Sequence, residues 1–372
     1  MFKKSIRKIH KWLGLLSGLI VFIVSITGCI FCFHDEIKDI TRKEWRFVTP
    51  ENKSYVAPSV LEAKAKELLP DATPSFVSYV GRNRWAGVYS ANANTHDSYY
   101  LYFNPYTGEH LQTEHLESDF FVIIEKIHMY LYLPEDIGKH IVGVATIVFI
   151  LLLITGIIQW WPKKMKDFKR NLSIKWSAKW RRVNYDWHNT TGFYVSIIAL
   201  VIAVTGLTFT YDWMGDALYE SFNLGKGNRQ TEMIAPKFKP NSIAVKANPM
   251  DKAMETTFEQ EKKGEMFFVM IPTDKKSAII TGAYPHSLRY DQQSNYYFHP
   301  QTGETIKKTA FKDKSLGLQV VEINYGLHTG QILDLPGKII AFIASLLAAI
   351  LPLSGFLIWY GRNYKSKKNP LS

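Results

Sequence analysis

The sequence has few cysteines and four long stretches without any charged residue. Only two cysteines occur among 372 residues, which excludes the disulfide framework of a small secreted domain. A helix needs about 20 apolar residues to cross the roughly 30 Å hydrocarbon core of a bilayer. Four stretches without Asp, Glu, Lys or Arg meet that length, with 21 to 23 residues each: Leu13–Phe33, Ile141–Trp161, Asn189–Tyr211 and Ile339–Gly361. The sequence therefore predicts four transmembrane helices and excludes a simple soluble enzyme.

Several motifs of soluble and transport chemistry are also missing. The sequence has no Gly-x-Gly-x-x-Gly after a strand, no Walker A motif and no His-Glu-x-x-His, which disfavours soluble nicotinamide chemistry, ATP hydrolysis and zinc proteolysis. Ion-coupled transporters usually bury charges at mid-membrane, so the four uncharged stretches disfavour transport. Cys29-Ile30-Phe31-Cys32 lacks the directly following histidine of the covalent haem motif, and we interpret the two thiols as packing groups.

The charge is unevenly distributed. The net charge is +12, and 18 basic residues lie in three short segments, with five in residues 1–12, nine in 163–182 and four in 362–372. Asp167 is the one acid in those segments, and the rest of the chain has a net charge of −5. Short basic loops mark the cytoplasmic side, so both termini should be cytoplasmic and the two long connections should face outward. No nucleic-acid partner is expected. We interpret the first apolar stretch as a retained helix rather than a cleaved signal peptide.

The same pattern occurs twice around the apolar stretches. The first and third stretches share His-x3-Gly and a later Thr-Gly, displaced by 178 positions: His10, Gly14, Thr27 and Gly28 against His188, Gly192, Thr205 and Gly206. The second and fourth share Gly-Lys and Thr/Ser-Gly-x3-Trp, displaced by 199: Gly138, Lys139, Thr155, Gly156 and Trp160 against Gly337, Lys338, Ser354, Gly355 and Trp359. Ile127-His128 and Leu327-His328 precede them. Both repeats begin on one side of the membrane, so they are parallel, and we attribute most of the glycines to helix packing.

The two long connections also resemble each other. Phe103-x-Pro105-x-Thr107-Gly108-Glu109 matches Phe298-x-Pro300-x-Thr302-Gly303-Glu304, a strand-to-turn pattern. Helices are predicted at Ser59–Leu69 and Pro249–Lys262. Strands are predicted at Phe76–Val80, Trp85–Tyr89, Tyr99–Phe103, Met266–Ile271, Ser277–Gly282 and Asn295–Phe298. Each connection thus predicts a small α+β module.

These patterns give the predicted division of the chain. It comprises an N-terminal tail with helix 1 (1–34), a first outer module (35–138), helix 2 (139–161), a basic loop (162–188), helix 3 (189–212), a second outer module (213–336), helix 4 (337–361) and a C-terminal tail (362–372). The predicted fold class is an α-helical membrane protein with two parallel helical repeats and small α+β modules.

The doubled motif resembles the PepSY-associated transmembrane family over nearly the whole chain. That resemblance implies a multi-pass protein of the bacterial inner membrane with PepSY-like periplasmic modules. The family is often iron-regulated and is similar to haem-containing reductases of ferric siderophores. The resemblance therefore implies haem as a cofactor and a ferric chelate as a partner.

Four membrane-flanking histidines have a mate in the other repeat: His10 with His188, and His128 with His328. A six-coordinate haem iron takes two imidazoles on opposite faces, which must lie at one depth in the membrane. We therefore expect two b-type haems, one on His10 and His188 and one on His128 and His328. Because Pro134 lies between His128 and His140, residues 130–138 must fold back; otherwise His140 would replace His128 as the ligand. His34 has no mate.

The resulting functional hypothesis is an oxidoreductase that carries electrons across the membrane and reduces a ferric siderophore or another ferric chelate, releasing Fe(II). Neither the electron donor, from the cytoplasm or the membrane, nor any catalytic residue is identified by the sequence. The alternative is a haem-free membrane scaffold or regulator that binds a protein or peptide through its outer modules.

Overall fold

The computed structural model describes residues 2–236, 238, 248–274 and 276–363. The chain divides into two compact units. The helical unit comprises residues 1–33, 123–214 and 327–372, and the sheet unit comprises residues 34–122 and 215–326. The first boundary, after residue 33, coincides with the end of the first apolar stretch, whereas residues 123–138 and 327–336, which precede the second and fourth stretches, belong to the helical unit.

Four long helices form the core of the helical unit: α1 (Phe2–Cys32), α6 (Glu135–Trp160), α8 (Trp180–Thr210) and α14 (Asp334–Asn363). All four are long and apolar enough to cross a membrane, which confirms the prediction of four transmembrane helices. Helix α1 packs against α6 and α14, and α8 packs against the same two helices. Helices α1 and α8, which begin the two repeats, therefore occupy one diagonal of the bundle.

The chain folds back sharply before α6 and before α14. Helix α5 (Phe120–Tyr130) is followed by two residues with positive φ, Leu131 and Tyr132, and α6 then begins after Pro134. A Cβ on Gly138 would overlap the carbonyl oxygen of Tyr130, so the returning chain passes directly against the end of α5.

The second repeat makes the same close approach. Helix α13 (Asn324–Thr329) ends at Gly330, which has a φ of 78°, and a Cβ on Gly337 would overlap the Gly330 carbonyl oxygen. Gly138 and Gly337 are the glycines of the repeated Gly-Lys motif. The motif therefore marks the position where two segments of backbone touch.

The sheet unit contains one eight-stranded antiparallel sheet. Its strands are β1 (Thr73–Tyr79), β2 (Ala86–Ala91), β3 (Ser98–Phe103), β4 (His110–His115), β5 (Met266–Met270), β6 (Ile279–Tyr284), β7 (Ser294–Phe298) and β8 (Thr305–Thr309). The order is β4-β3-β2-β1-β5-β6-β7-β8. Strands β1 and β5 pair from Phe76↔Met270 to Tyr79↔Phe267, so the two predicted modules share a single sheet.

Two helices cover one face of this sheet, α4 (Pro58–Leu68) and α11 (Pro249–Gln260). Both begin with proline in the first turn, where its missing N–H costs no hydrogen bond. Asp251 of α11 accepts hydrogen bonds from the backbone N–H of Ser59 at 2.9 Å and from its hydroxyl at 2.5 Å, which ties the two helices together. The core beneath them includes Tyr79, Phe103, Tyr296 and Phe298.

The two outermost strands were not predicted from the sequence. Strands β4 (HLQTEH) and β8 (TIKKT) are edge strands whose side chains are mostly polar, and they lack the apolar alternation that identifies a half-buried strand. The remaining helices are short: α2 (His34–Thr41), α3 (Lys43–Arg46), α7 (Phe168–Asn171), α9 (Asp212–Phe222), α10 (Arg229–Met233) and α12 (Leu316–Glu322).

Replacing Gly138 should destabilise the helical unit. The change Gly138→Ala or Gly337→Ala places a methyl group on a backbone carbonyl, which should cost about 1–3 kcal/mol. Thermal unfolding in detergent would measure the loss. Gly14→Ala is the matched control, because its Cβ would lie at an ordinary 3.8 Å from Leu152. Equal melting temperatures for Gly138→Ala and Gly14→Ala would contradict the close approach.

Candidate functional site

The structure brings the four repeated histidines together as two pairs within the helical unit. The ring centroids of His10 and His188 are 6.4 Å apart, with an interplanar angle of 86°. Those of His128 and His328 are 6.1 Å apart, with an angle of 66°. Each pair takes one histidine from each repeat, so the internal symmetry of the sequence places equivalent residues across from each other.

The first pair joins the two diagonal helices. His10 lies in the third turn of α1, and its Nδ1 lies 2.9 Å from the hydroxyl of Thr155 on α6. His188 lies in α8, and its Nδ1 lies 2.8 Å from the hydroxyl of Ser354 on α14. Each ring is therefore fixed by the second long helix of its own repeat.

The second pair comes from the short helices that precede the fold-back. His128 lies in α5, and its Nδ1 is 2.9 Å from the carbonyl oxygen of Val24 and 3.2 Å from the hydroxyl of Thr27, both on α1. His328 of α13 repeats this arrangement on α8: its Nδ1 is 2.9 Å from the carbonyl oxygen of Ile202 and 3.1 Å from the hydroxyl of Thr205.

The repeated Thr-Gly and Ser-Gly dipeptides are the positions on which these four rings pack. In each dipeptide the hydroxyl contacts Nδ1 of a histidine, and the following glycine lies against the same ring. A Cβ added to that glycine would lie 3.0 to 3.5 Å from Cε1 of the histidine, at Gly28, Gly206, Gly156 and Gly355. Gly14 and Gly192 instead face leucine side chains. Of these six glycines within the apolar helices, four therefore contact a histidine ring, and the interpretation of most of them as helix-packing positions does not hold for those four. The signal was in the sequence, since the repeated motif contains four such dipeptides and four histidines with a mate.

The second ring nitrogen is left available for a ligand. Across the described residues, Nδ1 of His10, His128, His188 and His328 is held by oxygen in every case, while Nε2 of these four rings makes no hydrogen bond. A hydrogen bond donated by Nδ1 to a fixed oxygen selects the tautomer in which Nε2 can bind a metal. A metal–nitrogen bond of about 2 Å on each side, plus roughly 1.2 Å from nitrogen to ring centre, separates two centroids by about 6.4 Å. Both pairs have the spacing that bis-imidazole ligation requires.

Burial keeps the second pair neutral. His128 and His328 lie outside the four long helices, and desolvation lowers the pKa of both rings, that of His328 to about 4. The neighbouring His128 lowers the pKa of His328 further, whereas its backbone hydrogen bond to Ile202 raises it. A neutral imidazole is the form that binds a metal.

The two pairs are far apart along the bundle. Thr27, which contacts His128, follows His10 by 17 residues on the same helix, and Thr205 follows His188 by the same number. At about 1.5 Å per residue, this separation is roughly 26 Å, close to the thickness of the hydrocarbon core. The arrangement can therefore hold one metal centre towards each end of the helical unit.

The two membrane-flanking histidines without a mate in the other repeat lie elsewhere. His140 stacks on Tyr211, with centroids 5.8 Å apart, and His128, not His140, faces His328. His34 belongs to the sheet unit, where its Nε2 lies 3.3 Å from the Asp35 carboxylate. Cys29 and Cys32 are buried and are not joined in a disulfide.

Comparison with known proteins gives one family. No curated protein sequence matches the chain. The model of the PepSY-associated TM region matches residues 7–362, which include α6, α8, most of α1 and α14, and the range of the sheet unit. The chain thus belongs to the PepSY-associated transmembrane family, as the doubled sequence motif indicated.

Proposed function

We propose that this membrane protein binds two b-type haems and carries electrons through the bilayer between them. The observation that supports the proposal is the pair of matched imidazole sites, in which Nδ1 is anchored and Nε2 is available at the spacing of bis-histidine ligation. His10 and His188 would hold one haem, and His128 and His328 the other. When bound, haem supplies an iron that takes up and gives away one electron.

The residues of the chain perform the remaining tasks. The hydroxyls of Thr155, Ser354, Thr27 and Thr205 orient the ligand rings and set which nitrogen carries the proton. The glycine after each of them lets the ring lie close to a helix backbone. The four apolar helices exclude water from the path between the sites. No residue need donate or accept a proton at mid-membrane, which agrees with the uncharged helices.

The orientation in the membrane follows from the basic segments. Residues 1–12 and 163–182 carry 14 of the 45 basic residues and lie on the side where α1 and α8 begin. On the basis of the positive-inside rule, we propose that this side is cytoplasmic, and that the protein spans the bacterial inner membrane with both termini inside and the sheet unit in the periplasm. His10 and His188 then lie towards the electron donor.

We further propose that the final acceptor is a ferric siderophore or another ferric chelate in the periplasm, which makes the protein a ferric-siderophore reductase. One electron converts the bound Fe(III) to Fe(II). Hard oxygen ligands hold Fe(II) less tightly, so the reduced ion is released for uptake. This step is supported by the similarity of the doubled motif to haem-containing siderophore reductases.

The first test is the loss of one site at a time. His188→Ala should remove about half of the haem while leaving the other site spectrally intact, and His328→Ala should do the reverse. His140→Ala is the control and should keep both haems, because His140 stacks on Tyr211 instead of facing His328. Absorbance and pyridine haemochrome titration of the purified protein would measure the content. A colourless haem-supplied preparation would favour the haem-free scaffold.

A second test addresses the hydroxyls. Thr205→Val removes the hydroxyl beside His328 without a change in shape, and should weaken haem binding at that site by about 10-fold or more. Thr146→Val on α6 is the matched control, because the Thr146 hydroxyl donates to the carbonyl of Val142 on its own helix. Haem dissociation to apomyoglobin would compare them, and equal rates would exclude the role of Thr205.

A third test concerns direction. In proteoliposomes with enclosed reductant, His10→Ala should abolish reduction of the haem at His128 and His328 and the release of Fe(II) to an external chelator. Dithionite added outside should still reduce that haem. His140→Ala vesicles should behave as the unmodified protein does. Undiminished Fe(II) release by His10→Ala would mean that the His10–His188 pair is not on the electron path.

A further inference from the structure

A group of side chains of the kinds that bind metals lies in the sheet unit, at the open end of the β3–β4 hairpin, opposite the turn that joins the two strands. Asp97 directly precedes β3, His115 is the last residue of β4, and Glu117 lies in the single 3-10 turn that follows. Strand pairing aligns Tyr99 with His115, which brings the start of β3 beside the end of β4. The hydrogen bonds between β3 and β4 thus hold Asp97 and His115 close together, although they are 18 positions apart in the sequence.

The three side chains point their ligand atoms at one position. Nε2 of His115 lies 3.0 Å from Oδ1 of Asp97 and 3.5 Å from Oε2 of Glu117, and all three atoms lie within 4.8 Å of one another. Two donors that bind a metal at about 2.1 Å lie roughly 3.0 Å apart at a right angle and roughly 3.4 Å apart at a tetrahedral angle. The observed distances are those of adjacent corners in a coordination sphere.

Contacts from outside the group hold each ligand in place. The backbone N–H of Ser98 donates to Oε2 of Glu117 at 2.8 Å, and the ring of Tyr99 packs against His115 with centroids 5.2 Å apart. The backbone N–H of Asp97 donates to the hydroxyl of Thr95 at 3.3 Å, which fixes the backbone that carries the Asp97 carboxylate. The side chains remain 30 to 41% exposed, which leaves room for water as further ligands.

The second half of the sheet shows that the fold does not require these residues. Its β7–β8 hairpin and 3-10 turn repeat the backbone arrangement of β3, β4 and their turn. At the spacing that relates Phe103 to Phe298, the three positions are occupied by Gln292, Ala310 and Lys312. None of these can complete such a site, and the lysine would repel a cation. The group is therefore an addition to the first half only.

We propose that Asp97, His115 and Glu117 bind one divalent transition-metal ion of the Mn(II), Fe(II) and Zn(II) class. One imidazole combined with two carboxylates is a mixed donor set: carboxylate suits Mn(II), and imidazole suits Fe(II) and Zn(II). The site is independent of the histidine pairs in the helical unit, and it does not need haem to form.

Mn(II) titration of the full-length, untagged protein in detergent tests the site. The EPR signal of free Mn(II) should fall by one equivalent per chain, and added Zn(II) should restore it by displacement. His115→Ala and Glu117→Gln should each weaken binding at least 10-fold. His110→Ala is the matched control, since His110 is an exposed histidine of the same strand that contacts Thr113 instead of a carboxylate.

Stability provides the second measurement. Mn(II) should raise the melting temperature of the unmodified protein and of His110→Ala, but not that of Glu117→Gln, because only a folded site gains binding energy. Glu117→Gln keeps an oxygen for the Ser98 N–H and should melt normally without metal. If the unmodified protein and His115→Ala bind Mn(II) and Zn(II) equally, or neither binds, the three residues form an ion pair only and the proposal fails.

Discussion

The hydrogen bond between a histidine Nδ1 and an oxygen on a neighbouring helix is the interaction on which the helical unit depends. It occurs four times, and each time the histidine and the oxygen belong to different helices of one repeat. Each bond directs Nε2 away from the helix that holds the ring. Because the repeats face each other across the bundle, four such bonds produce two sites instead of four separate polar contacts.

The fold-back before α6 and α14 is a consequence of the same requirement. His128 and His328 precede their long helices, and continuous helices would carry both rings beyond the ends of the bundle. The turns after α5 and α13 return the chain, and Gly138 and Gly337 allow backbone to pass against backbone. A glycine near the start of a helix thus helps to position the histidine that precedes that helix.

The sheet unit follows a different principle. Pairing of β1 with β5 joins the two halves into one sheet and leaves β4 and β8 as its edges. The first edge carries Asp97, His115 and Glu117 near its end, and the second carries none of their equivalents. Repetition preserved the backbone in both halves, while the side chains at the hairpin ends diverged.

Much of this architecture was determined by the sequence alone. Uncharged stretches of 21 to 23 residues predict four membrane helices, because a bilayer does not tolerate unpaired charge. The doubled motif identified the two repeats, the family and the four histidines with a mate. The outer helices and six of the eight strands also followed from apolar periodicity.

Other features were decided only by the tertiary structure. The position of each histidine ring depends on a contact between residues more than 100 positions apart, such as His128 with Thr27 or His188 with Ser354. Helical periodicity shows which face of α1 is apolar, but it does not show which ring will lie on Gly28. The edge strands β4 and β8 lack a periodic signal, because their pairing with β3 and β7 comes from backbone hydrogen bonds rather than side-chain burial. Local propensity acts over a few residues, and these pairings are fixed only when the whole chain packs.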